Sequence, residues 1–112
     1  MIHVLSDKAS PEQIEDMLRE LGDYVKLAVD IRLGILAGGG AMHSDCESAL
    51  LQTGSQQENV WGADWIPGTG DVRFESLINI RPRQGNRSMI IQEPEVRKRI
   101  ESIVGRILGS GK

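Results

Sequence analysis

The sequence is poor in cysteine and in aromatic residues, and it has no long apolar run. One cysteine, Cys46, cannot form an intrachain disulfide. No apolar stretch approaches the ~20 residues needed to cross a bilayer as a helix. The opening, MIHVLSDKAS, has no basic segment leading into a long apolar one, so no secretory signal is expected. These absences favour a cytoplasmic setting, with no membrane association. The two histidines, His3 and His43, stand 40 positions apart. Together they fall short of the three or four ligands a metal site requires. The triplet Gly38–Gly40 lacks the Lys-Ser/Thr ending of a phosphate loop, and the dinucleotide pattern G-x-G-x-x-G does not occur. No metal and no cofactor is therefore expected. Aromatics are only 4% of the chain, so the core can hardly spare Trp61 and Trp65 as a stacking platform for bases.

What is present describes an ordinary globular chain. Its 112 residues, 39% hydrophobic and 26% charged, suit a single domain spanning 1–112. The net charge of −3 conceals an asymmetry. Residues 1–72 carry four basic side chains against twelve acids, a net of −8; residues 73–112 carry nine against four, a net of +5. Segments of opposite sign neutralise each other within a fold, pair between subunits as in a homodimer, or offer a basic face to an anion.

The punctuation of the chain predicts its elements. Ser10, Pro11 and Gln13 form an N-cap, a first helical residue and a capping box. Ile14, Met17, Leu18 and Leu21 then make one apolar stripe, so a helix is expected over Pro11–Leu21. YVKLAVDI alternates as a half-buried strand, and RLG turns it into a partner, ILAGG, although a single long strand through Ala37 fits the alternation too. Ser44 and Glu47 suggest a second capping box, with a helix over about Ser44–Thr53. Val60–Ile66 alternates, PGTGD turns, and Val72–Ile80 returns as an antiparallel hairpin partner. MII is a possible short edge strand. Pro94 opens a last helix through Leu108, striped by Val96, Ile100, Ile103, Val104 and Ile107, beyond which Ser110–Lys112 fray. The implied class is α+β: a mainly antiparallel sheet of about four to six strands, with three helices packed chiefly on one face.

Two stretches invite chemistry. In GILAGGGAMHSDCESALL, glycines lead into a helix start that carries His43 and Asp45. A histidine beside a carboxylate suits general acid–base work. Yet Asp45 and Glu47 in the first turn would satisfy the helix dipole and repel an anion, so the bend reads chiefly as structural. Cys46 falls on the apolar stripe and reads as a buried thiol. In NIRPRQGNRS, Arg81, Arg83 and Arg87 sit among Asn86 and Ser88. Arginine forks grip phosphate or carboxylate through two parallel hydrogen bonds, and amides and hydroxyls add neutral donors. Arg97, Lys98 and Arg99 would extend this basic surface if they lay beside it.

The motifs QENVWGADW and INIRPRQGNRSM, with LAVDI, GILAGGG and the PEVR helix start, resemble those of small uncharacterised bacterial proteins, a domain of unknown function common in cyanobacteria and other bacteria. The resemblance runs from about Tyr24 to Leu108. Glu93 stands before Pro94 where such proteins would have Asp, a better cap. The resemblance implies a compact bacterial cytoplasmic domain and no established activity. The leading expectation is a non-enzymatic binding module whose loop residues Arg81, Arg83, Asn86, Arg87 and Ser88 engage nucleic acid, a phosphorylated ligand or an acidic protein surface. The alternative is a small hydrolase-like enzyme using His43 and Asp45.

Overall fold

A computed structural model of the chain describes residues 1–109; the fraying expected of residues 110–112 lies outside them. Five strands form one sheet: β1 (His3–Leu5), β2 (Val25–Asp30), β3 (Ile35–Gly38), β4 (Val60–Ile66) and β5 (Asp71–Arg73), in the order β1-β3-β2-β4-β5. All neighbours are antiparallel. The three helices are α1 (Pro11–Leu18), α2 (His43–Gln52) and α3 (Pro94–Ile107). The α+β class is as the patterning implies.

Strand alternation decides the two faces. Val25, Leu27, Val29, Leu36, Trp61, Ala63 and Trp65 project to one side, where Met17 of α1 and Ile100, Ile103, Val104 and Ile107 of α3 bury them. On the opposite side Ala28, Ala37 and Val60 meet Cys46 and Leu50 of α2. Two helices thus share the larger core and the third covers the other face. Both tryptophans lie in the larger core, and Trp65 Nε1 donates to the Gly109 carbonyl at 3.0 Å.

Local chemistry explains the connections. The Ser10–Gln13 capping box forms in both directions, at 2.9 and 3.1 Å. Helix α1 stops at Leu18 rather than Leu21: the Arg19 N–H turns to the Asp16 carbonyl, three residues back, at 3.3 Å, and the Gly22 N–H closes the turn that follows onto the Leu18 carbonyl at 2.7 Å. The β2–β3 turn is organised by buried Asp30, whose Oδ1 accepts the amides of Arg32 and Leu33 at 2.9 Å each. Gly39 has φ +101°, and a Cβ there would collide with the Met1 carbonyl and the Met17 side chain. The glycine bend is therefore a packing requirement. Helix α2 begins at His43, one residue before Ser44, and its N-cap, Met42, gives no side-chain hydrogen bond. The expected Ser44–Glu47 capping box does not form, because Ser44 lies inside the first turn and not at the cap.

The largest departure from the patterning concerns Val72–Ile80. Its pairing with β4 ends at Arg73, opposite Asp64. Residues 74–92 then leave the sheet as a loop containing two short 3₁₀ turns, and MII contributes only a single bridge, Glu75 to Ile90. The cause is a side chain that substitutes for a strand. Asn79, fully buried, accepts the Gly62 N–H on Oδ1 at 2.8 Å and donates Nδ2 to the Gly62 carbonyl at 3.0 Å. One amide thereby closes the open edge of β4.

Two outcomes test this architecture. Ile100→Ala should cost about 2–5 kcal/mol in chemical denaturation, from lost transfer energy and an unfilled cavity. On the edge of the larger core, His3 Nε2 lies 2.6 Å from Asp16 Oδ2, and this hydrogen bond holds the Asp16 carboxyl below its ordinary 3.8. A depressed carboxylate contributes stability above its unfolded pKa and loses it as pH falls through the folded value. An NMR titration should place Asp16 below 3.8, and His3→Ala should raise it. An unchanged Asp16 titration in that variant would show the contact to be idle.

Candidate functional site

The 74–92 loop and the start of α2 form one side of the molecule, and the two stretches that invite chemistry in the sequence end on these two segments. Three of the five loop residues are consumed in building the loop. Arg81, 9% exposed, donates Nε to the Ile78 carbonyl at 2.9 Å, Nη1 to the Gln57 carbonyl at 2.6 Å and Nη2 to Glu47 Oε2 at 3.2 Å. Its guanidinium also covers the Trp61 ring, 4.8 Å from the centroid. Burial lowers the Arg81 pKa, and Glu47 opposes that shift. Asn86, also buried, donates Nδ2 to the carbonyls of Asn79, Ser88 and Ile90, while its Oδ1 accepts the Gln92 amide. Ser88 Oγ accepts the Ile90 amide at 3.0 Å. These three act on the protein's own backbone, not on an open surface. Arg83 and Arg87 remain exposed, and among the described residues neither has a hydrogen-bond or ion-pair partner.

Arg97 and Arg99 of α3 do not extend this surface, and Lys98 pairs with Glu95 of its own helix at 3.8 Å. Arg97 donates to the Ile91 carbonyl, Arg99 to that of Ile31 and Arg106 to those of Ser6 and Gly34. They pin the helix to the turns around it. Ion pairs Arg81–Glu47 and Arg73–Asp64 also join the basic and acidic parts of the chain, so mutual neutralisation accounts for part of the charge asymmetry.

Among the described residues, three cavities are lined in part by these segments, and two of them share Leu77 as a wall. The first, about 520 Å³, is lined by Glu47, Gln57, Leu77, Ile78, Ile80, Pro82 and the side chains of Arg81, Arg83 and Gln84. Leu77 is 68% exposed and Ile80 44%. The second, about 340 Å³, is lined by His43 with Lys26, Met42, Ser44, Glu75, Ser76, Leu77 and Met89. Met42 and Met89 are exposed there. Exposed apolar side chains grouped around cavities mark ligand or partner sites more often than isolated ones do.

The expected His43–Asp45 pair does not form. Asp45 is exposed, and the carboxylate beside His43 is Asp64 of β4, with His43 Nε2 2.8 Å from its Oδ1 and 3.1 Å from the Ala63 carbonyl. Residues two apart at a helix start diverge, whereas β4 runs directly beneath the first turn of α2. Asp64 was open to detection from sequence: in VWGADWI it alternates away from Trp61, Ala63 and Trp65, and so must face the other side of the sheet. Cys46 is sealed in the smaller core, where burial raises its thiol pKa and its Sγ bonds the Lys26 carbonyl at 3.5 Å. It is a packing residue. Among the described residues, no group of three or more His, Cys, Asp or Glu is placed to hold a metal ion, and no helix is long and apolar enough to cross a membrane.

A structural role for Arg81 has a clear signature. Arg81→Ala would remove the guanidinium partner of Glu47 and of the Ile78 and Gln57 carbonyls, and should cost roughly 3 kcal/mol or more, the low end for breaking a buried pair. Asn79→Ala should cost about 1–3 kcal/mol for each Gly62 group left unpaired. Denaturant midpoints unchanged in both would remove the loop's internal scaffold as an explanation of its shape.

The chain belongs to the family described as protein of unknown function (DUF5674), whose model matches residues 3–107. No characterised protein and no solved structure matches it.

Proposed function

We propose that the protein is a binding module and that its partner is an acidic protein surface carrying large apolar side chains. The observation that carries this reading is the 520 Å³ cavity, in which an unpaired Arg83 stands beside exposed Leu77 and Ile80. Among the described residues the carboxylate lining that cavity is Glu47, which already answers Arg81. Arg83 is therefore the cation left for an incoming anion, with Arg87 further along the same loop. Apolar area supplies most of the affinity at such surfaces, and unpaired charges supply orientation and association rate.

Nucleic acid is the weaker candidate for the same arginines. Base binding without sequence preference relies on aromatic stacking platforms. Trp61 and Trp65 are buried, while Tyr24 and Phe74 are covered by Arg73 and Arg97 at 5.2 and 5.0 Å. A second copy of the chain, whose first 72 residues carry −8, satisfies the same chemistry and is the simplest acidic partner to look for. A single sealed thiol suits a cytoplasmic setting.

The test is a calorimetric titration with acidic leucine-bearing peptides, short single-stranded and duplex DNA, and nucleotides, at low and physiological salt, beside sedimentation of the protein alone. Peptide binding or self-association should survive physiological salt, and Arg83→Ala should weaken it about tenfold, the loss of about 1.4 kcal/mol. Leu77→Ser should weaken it further. Binding of DNA alone, falling steeply with salt as counterions are released, would overturn the choice of partner. Absence of any binding or association at low salt would overturn the module itself.

A further inference from the structure

The second cavity holds chemistry that the binding reading does not use. His43 and Asp64 present side chains only 13% and 12% exposed, joined at 2.8 Å. Both partners of His43 Nε2, the Asp64 carboxylate and the Ala63 carbonyl, are acceptors. Nε2 must therefore carry the ring proton, and in the neutral imidazole Nδ1 holds the lone pair. Among the described residues Nδ1 has no hydrogen-bond partner. The unpartnered side-chain atoms sealed from solvent are Asp30 Oδ2, Ser55 Oγ and Trp61 Nε1. Nδ1 is not one of them, so it reaches open space on a ring that lines the 340 Å³ cavity. A carboxylate that fixes the tautomer, a ring anchored through Nε2 to two acceptors and an unpartnered, unsealed Nδ1 on a cavity-lining ring together suit a general base.

We propose that His43 is a general base for hydrolysis of a small, uncharged carboxylic ester bound in this cavity, with Asp64 as its positioning residue. Nδ1 takes a proton from water as the water oxygen bonds to the ester carbonyl carbon. The carbonyl π electrons move to oxygen, giving a tetrahedral oxyanion. Lys26, which lines the same cavity, supplies a cation for that charge; its ammonium makes one hydrogen bond, to the Ala41 carbonyl at 3.1 Å. Collapse re-forms the carbonyl and breaks the bond to the leaving alkoxide, which takes the proton from Nδ1. The sum is ester plus water giving acid plus alcohol, with no other reactant. The apolar walls, Met42, Leu77 and Met89, select an uncharged substrate with short hydrocarbon groups.

The first measurement is made on the unaltered protein. A nitrogen-15 NMR spectrum at a pH where His43 is neutral should show the proton on Nε2 and the lone pair on Nδ1. A proton found on Nδ1 would overturn the proposal outright. The second is hydrolysis of p-nitrophenyl acetate and p-nitrophenyl butyrate, compared with an equal concentration of free imidazole. His43→Gln should lower the rate by about 100-fold, the lower end of general-base contributions. Asp64→Asn should lower it less and should also shift the His43 tautomer populations, a signature that simple loss of packing would not produce. Asp45→Asn, which alters the exposed acid, should leave the rate unchanged. A rate no greater than that of free imidazole, or one that His43→Gln leaves intact, would overturn the catalytic assignment. Neither result would touch peptide binding at Arg83, so the two sites can fail separately.

Discussion

The shape of the functional side depends on one amide. Asn79 pairs with both the N–H and the carbonyl of Gly62, which are the groups a sixth strand segment would otherwise have to satisfy. Buried backbone groups left unpaired cost too much to tolerate. Once a side chain satisfies them, the backbone of residues 74–90 is released from the sheet. The same constraint demands glycine at position 62, since a Cβ there would lie 2.6 Å from the Ser76 Cβ. Asn79 and Gly62 are thus two halves of one device, and the two cavities that share Leu77 as a wall follow from it.

Arginine does two opposite jobs on this loop. Arg81 is desolvated, forked onto two carbonyls and one carboxylate, and stacked on an indole. Guanidinium suits this role because it is weakly hydrated and offers five donors in a fixed plane. Arg83, two residues on, has none of these partners and keeps its charge in water. An arginine count therefore overstates the binding surface, which depends on the cations that the fold leaves unmatched.

Histidine and glycine change meaning in the same way. The glycine triplet looks like a ligand cradle, but Gly39 is filled by the N-terminal backbone and Met17. Its effect is to bring His43 over β4, where Asp64 meets it. The bend that carries no ligand of its own sets the geometry of the one carboxylate–histidine pair beside a cavity on this side.

What the sequence determined by itself was everything governed by short-range periodicity and capping. The stripe of α3, the Ser10 cap, the RLG turn and the strand alternation of β2 and β4 follow from spacings of two to four residues, so the helices, the β2–β3 hairpin and the α+β class were legible. The alternation even held Asp64 on the face opposite the tryptophans. Tertiary structure decided the pairings across long separations: Asn79 with Gly62, Arg81 with Glu47, and His43 with Asp64, which are 17, 34 and 21 residues apart. Val72–Ile80 alternates as well as any strand, and local spacing cannot reveal that a single amide will take its place. Which polar groups remain free for a ligand depends on which others have met inside the fold. That is settled by desolvation across the whole chain, because every buried donor or acceptor must find its partner before any can be left to face the solvent.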